Sequence, residues 1–170
     1  MALLRRRHEV EGTRYRMRER LIAIGDDFWI ETDDDRRAFK VNGKALRVRS
    51  TFVLETPSGD ELVRIKEKKL RIHDTMELER DGRTIGTVKK ALVTPLRDRF
   101  AIELTDGDEL TAKGNIVDHE YKIERNGHTV AEVSKRWFRV RDTYGIEISP
   151  GENDAILLAA AVCIDEMSHD

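Results

Sequence analysis

One cysteine, three prolines and a 6% share of aromatic residues in 170 positions leave several protein classes out of reach. The lone Cys163 cannot close an intramolecular disulfide, which excludes a stapled secreted scaffold and points to a reducing compartment. No apolar run approaches the roughly 18 residues that a membrane-spanning helix needs. The opening Met1-Ala-Leu-Leu-Arg-Arg-Arg7 has too short an apolar part, with its bases on the wrong side, for a secretory signal. A cytoplasmic protein is expected, peripheral to a membrane at most. His8, His73, His119, His128 and His169 are scattered, with no H-x-x-x-H and no second cysteine, so no zinc spacing exists. A G-x-S-x-G turn, a P-loop and a Rossmann fingerprint are all absent. Neither a cofactor nor catalysis is expected. The net charge of −2 gives no whole-molecule attraction to nucleic acid, which makes a nucleic-acid partner unlikely on composition.

What the chain does contain is charge and pattern. Charged residues make up 38% and hydrophobic ones 39%, a soluble globular composition rather than a disordered one. The length suits a single domain, 1–170, with residues 1–13 as a basic N-terminal tail. Arg5, Arg6, Arg7, Arg14, Arg16, Arg18 and Arg20 outweigh three acids in residues 1–20, and a solvated terminus is the preferred reading over an anionic-surface tether. Residues 1–100 hold 24 bases against 18 acids, and residues 101–170 hold 7 against 15, an imbalance that a barrel could segregate or mix.

The organising stretch is Ala155-Ile-Leu-Leu-Ala-Ala-Ala-Val-Cys-Ile164. Ala and Leu favour helix, and at 3.6 residues per turn ten consecutive apolar positions leave no polar face. Such a helix, expected over residues 149–168, must be enclosed by protein. Ser149-Pro150-Gly151-Glu152 has the form of a capping box, with Asn153 as the rival N-cap. Asp165 and Glu166 carry the wrong sign for the helix dipole, so packing must hold that end. Ile156, Leu157, Leu158, Val162 and Ile164 supply bulk, and Ala159, Ala160 and Ala161 allow close approach.

Upstream, alternation of period two dominates. Strands are expected over 14–21, 27–31, 37–42, 46–55, 61–66, 75–80, 83–91, 98–104, 109–114, 120–126, 128–135 and 142–148. Asn42-Gly43, Asp81-Gly82, Asp106-Gly107 and Asn126-Gly127 supply the positive φ of tight hairpins. There is also an internal echo. Residues 52–62 resemble 100–110 at an offset of 48, and residues 79–84 resemble 124–129 at an offset of 45. Two copies are too few for a propeller, and the apolar helix has no place in one. The fold class is mainly β, a closed antiparallel barrel of about twelve strands around a buried hydrophobic C-terminal helix.

Few residues invite chemistry. Asp118-His119-Glu120 looks like an acid–base cluster, but adjacent strand residues face opposite ways, and polar structure at a loop or strand edge is preferred. Cys163 in an apolar helix is expected to be inert. The candidate anion-binding residues are Lys66, Lys68, Lys69, Arg71, Lys89, Lys90, Lys135 and Arg136, weighed against a solvated rim. Trp137 and Phe138 are read as barrel core or corner rather than a membrane wedge.

The stretches Ile24-Gly-Asp-Asp-Phe28, Gly114-Asn-Ile-Val-Asp-His-Glu-Tyr121, Val133-Ser-Lys-Arg-Trp-Phe138 and Asp142-Thr-Tyr-Gly145, followed by the apolar helix, resemble bacterial members of the LURP-one-related family. The resemblance spans Tyr15 to His169. It implies a twelve-stranded barrel around a C-terminal helix, shared with the Tubby C-terminal domain and the phospholipid scramblases, and no established catalysis. By analogy of fold it points to a non-catalytic binding module for an anionic lipid headgroup, at a membrane surface, or for a protein partner on the barrel exterior. Scramblase-like lipid handling and a transcription-related scaffold are the alternatives.

Overall fold

A computed structural model of the chain describes residues 12–19, 27–42, 51–70, 73–91 and 99–168. Its elements are β1 (Thr13–Arg18), β2 (Phe28–Thr32), β3 (Arg37–Asn42), β4 (Thr51–Glu55), β5 (Glu61–Leu70), β6 (His73–Arg80), β7 (Arg83–Ala91), β8 (Arg99–Leu104), β9 (Glu109–Asn115), β10 (Glu120–Arg125), β11 (His128–Ser134), β12 (Thr143–Ile148) and α1 (Asp154–Ser168). Each strand pairs antiparallel with its chain neighbour, and β1 closes the ring on β12 from Thr13↔Ile148 to Arg18↔Thr143. Closure leaves no sheet edge unpaired. The expected strands agree to within two residues at the described positions, apart from β5. That strand continues past Lys66 to Leu70, pairing residue for residue with β6, because a run of charged residues ends a hydrophobic pattern without ending a ladder. The first part of the expected strand 46–55 lies outside the described residues.

The turns follow the sequence closely. Asp81-Gly82 and Asn126-Gly127 have positive φ at both positions, the mirror-image turn whose twist matches that of the flanking strands. The internal echo is structural. Gly59 N–H donates to the Thr56 carbonyl and Gly107 N–H to that of Leu104, 48 residues on. Register shifts at Leu78/Glu79 and Ile123/Glu124 repeat at an offset of 45. The units β4–β7 and β8–β11 are thus two copies of one four-stranded meander.

Alternation aims one side chain in two at the lumen. Phe100, Ile102, Tyr121 and Ile123 are buried there with Met76, Leu78, Ile146 and Ile148. The helix fills the space they surround, with every residue from Leu157 to Met167 buried. Ile156 is only partly buried, since it lies in the first turn at the mouth of the barrel.

The helix begins at its rival cap. Asn153 Oδ1 accepts from Ile156 N–H at 3.1 Å, whereas the Ser149 hydroxyl donates to the Thr129 carbonyl and caps nothing. Gly151, at φ 84°, turns the chain inward between them, so the capping box expected at Ser149 does not form. Two strands then fix the entry. The Tyr15 hydroxyl donates to Asp154, and Arg125 bridges Glu152 at 2.7 Å and Asp108 at 2.7–2.9 Å.

Candidate functional site at the basic end of the barrel

An up-and-down barrel has two rims, and this one is electrically lopsided. The rim where α1 enters carries the turns after β2, β4, β6, β8 and β10. Their connecting residues and the α1 approach include Asp33, Asp34, Asp35, Asp60, Asp81, Asp106, Asp108 and Glu152 against one base, Arg36. The described connections at the opposite rim are 116–119 and 135–142. The second supplies Lys135, Arg136, Arg139 and Arg141 against Asp142, and the first adds Asp118. Among the described residues charge is therefore sorted by rim and not by the two halves of the sequence.

The basic rim is also where hydrophobic side chains reach solvent. Val117 in the β9–β10 connection is 56% exposed and Val140 in the β11–β12 connection is 53% exposed, the two exposed large hydrophobics among the described residues. Arg139 and Arg141 flank Val140, are exposed, and make no ion pair among the described residues.

The topology directs the predicted anion-binding residues toward this same rim without gathering them into one patch. Lys66, Lys68 and Lys69 lie on β5, and Lys89 and Lys90 on β7, one strand beyond; Arg71 lies outside the described residues. Lys135 and Arg136 lie four strands further round, after β11. Carboxylates engage several of the described members: Glu79 with Lys66 at 2.9 Å, Glu103 with Lys89 at 3.0 Å, Glu19 with Lys135 at 2.6 Å and, more loosely, Glu120 with Arg136 at 3.7 Å. Arg136 nevertheless keeps 85% of its side chain exposed. Arg14 and Arg16 of the basic N-terminal stretch are likewise committed, to Glu147 and to Glu31 with Asp35.

Beneath the rim lies a buried polar anchor. His119 is 1% exposed, Asp165 3% and Glu166 7%. His119 Nε2 and Asp165 Oδ1 are 2.6 Å apart, and the imidazole stacks on Tyr144 at 4.4 Å. Glu19 approaches the other ring nitrogen at 4.0 Å. His119 lies in the β9–β10 loop as polar structure, as expected, and its positive φ of 52° accompanies a side chain buried against the end of α1. That contact also explains how a helix end with the wrong dipole sign is held. Around it, burial pushes the Tyr121 and Tyr144 phenols and the Cys163 thiol well above their ordinary ranges, with the nearby carboxylates adding to the effect.

Trp137 and Phe138 are not in the core. Tyr144 and Ile146 take the inward positions of β12, so Gly145 between them faces out, and a Cβ there would stand 2.7 Å from Trp137 and 2.8 Å from Phe138. Both rings lie on the barrel's outer wall over that glycine. The Arg14 guanidinium sits 4.4 Å from the Trp137 centroid and that of Arg16 5.8 Å from Phe138. No single-residue signal in the sequence separates this seat from a core position; it depends on which parity of β12 faces in.

The chain is similar to known proteins over nearly all of its length. The uncharacterized protein YxjI of Bacillus subtilis is 26% identical over 149 residues, covering 88% of this chain and 90% of that one. A crystal structure of an Arabidopsis thaliana protein superposes with a TM-score of 0.68 at 16% identity, covering 92% of this chain and 93% of the other, a likeness of fold alone. The family model described as LURP-one-related matches residues 13–165, almost the whole barrel with its helix, and the chain belongs to that family.

Proposed function

We propose that this protein is a non-catalytic binding module that docks on an anionic membrane surface through its basic rim. The observation that carries the proposal is the coincidence at one rim of Val117 and Val140, both more than half exposed, with Arg136, Arg139 and Arg141. Apolar loop tips enter the headgroup layer while neighbouring bases meet lipid phosphates, each base worth about 1 kcal/mol near such a surface. The acidic opposite rim disfavours the inverted orientation. Catalysis draws no support from the buried pair His119 and Asp165, which is sealed from substrate. Lipid handling of the scramblase kind finds little, since the apolar surface of α1 is spent on the lumen, and among the described residues no helix is long and apolar enough to cross a membrane.

Vesicle flotation tests this. The full chain is expected to float with phosphatidylserine-containing vesicles and not with neutral phosphatidylcholine vesicles, and Val117→Asp with Val140→Asp is expected to abolish flotation. Some binding should survive about 1 M salt, where the Debye length is near 3 Å, because loop insertion is not screened. No flotation at low salt, or flotation unchanged in the double variant, overturns the proposal.

A further inference from the structure

We infer that the outer wall of β8–β10 carries a binding site for a phosphate group. On other strands several bases are stitched to acids, as in Arg14 with Glu147 at 3.5 Å, Lys40 with Asp27 at 2.9 Å and Lys66 with Glu79 at 2.9 Å. Here the register does the reverse. Arg99 lies directly opposite Lys113, and Lys113 directly opposite Lys122. Their neighbours Phe100, Ala112 and Tyr121 point inward and are buried, so the three bases share the outer face, and all three are exposed. At about 4.8 Å between strands, three cations fall within roughly 10 Å. Like charges directly opposed destabilise a sheet. Lys113 is relieved by Glu124 at 2.7 Å, but Arg99 and Lys122 make no ion pair among the described residues.

A cavity of about 340 Å³ opens beside this row, with Lys113, Gly114, Glu120, Lys122 and Glu132 in its lining. Gly114, at φ 140°, leaves bare backbone there, since a Cβ would stand 2.8 Å from the Glu120 carbonyl. Glu120 is already occupied, accepting from the Ser134 hydroxyl at 3.0 Å and from Lys135 N–H at 3.1 Å. Glu132, across from Lys122, is the one lining carboxylate without a partner and closes the far side. The lining itself supplies Lys113 and Lys122, and Arg99 stands opposite Lys113 on the next strand, outside the lining; a guanidinium beside two ammonium groups suits a compact, multiply charged oxyanion. The volume lies near the lower end of small-ligand cavities, about 300 Å³, and so suits one phosphate-bearing group rather than a polymer. Lys113 lies four residues before Val117, at most about 13 Å along the chain, within reach of a lipid headgroup or of a soluble phosphate ester. Only the lipid source rests on the membrane-docking reading.

The test is an amide NMR titration of the full chain with inorganic pyrophosphate, beside flotation with phosphatidic-acid vesicles. Shifts confined to residues 99, 113–114 and 120–122 are expected, with about 30-fold weaker binding in Arg99→Gln/Lys122→Gln, two cations at about tenfold or less each. That variant is expected to melt no lower than the parent, since it relieves repulsion. No shifts, shifts at 135–141 instead, or an unchanged titration in the variant overturns the site. Pyrophosphate binding that persists in Val117→Asp/Val140→Asp while flotation is lost supports both readings. Pyrophosphate binding without any flotation by the parent keeps the site, assigns it a soluble phosphate, and removes the membrane reading. Flotation without pyrophosphate binding removes the site alone.

Discussion

His119 and Asp165 are 46 residues apart in sequence and 2.6 Å apart in space, and their contact ties the exposed β9–β10 connection to the far end of the central helix. Removing one partner of a buried pair leaves the other desolvated and unmatched. Asp165→Ala is expected to cost about 3 kcal/mol in urea unfolding, where Asp118→Ala on the exposed side of the same turn costs under about 0.5 kcal/mol. Equal effects of the two substitutions would mean that the anchor contributes nothing.

The outer-wall seat of Trp137 and Phe138 depends on the missing side chain of Gly145. Gly145→Val must displace both rings, and a loss of about 1–3 kcal/mol is expected. Because Trp137 would leave its place beside Arg14, the tryptophan emission should also move to longer wavelength. A valine variant with unaltered emission and stability would contradict the packing described.

Helix α1 is expected to be indispensable. Leu157, Leu158, Val162, Ile164 and Met167 are each at most 2% exposed. At about 1.5–3 kcal/mol apiece they contribute roughly 8–15 kcal/mol, which equals the whole net stability of an ordinary domain, about 5–15 kcal/mol. A chain ending at Pro150 should show no cooperative urea transition by Trp29 and Trp137 fluorescence. Ala160→Arg, which forces a charge among fully buried neighbours, should be nearly as damaging. A cooperative, monomeric 1–150 fragment would make the helix an appendage.

Alkaline pH should unfold the protein early. Tyr121, Tyr144 and Cys163 have folded-state values raised above their ordinary 10.0, 10.0 and 9.0. The native state keeps these protons while the unfolded chain releases them, so their contribution is complete below about pH 9 and falls as pH rises beyond it, by up to about 1.4 kcal/mol per pH unit for each group. Thermal melts between pH 7 and pH 11 should show Tm falling from about pH 9, and native Cys163 should resist thiol reagents until denaturant is added. Rapid stoichiometric labelling of folded protein would place the thiol at a surface.

The barrel was legible because its determinants are local. Alternation such as Phe100-Ala-Ile-Glu-Leu104 sets a facing, and pairs such as Asp81-Gly82 set a turn, within a few residues of chain. Asn153 and Ser149 were both plausible caps by residue type, and only the path through Gly151 decides between them. The loop seat of His119 was legible but its burial was not, because its neighbours Asp118 and Glu120 advertise a surface while its partner lies beyond three further strands. The row Arg99–Lys113–Lys122 carries no sequence signal at all, since it exists only once the registers of β8, β9 and β10 are fixed.

Because α1 follows all twelve strands in the chain, the ribosome delivers the filling of the barrel after its walls. At about 5–20 residues per second, the time from the first strand to the last turn of the helix is roughly 10–30 s. For most of that interval β1 has no β12 to close on, and until its end the inward faces of the nascent strands have no complete helix to surround. The barrel can therefore gain its filling only after every strand has been made.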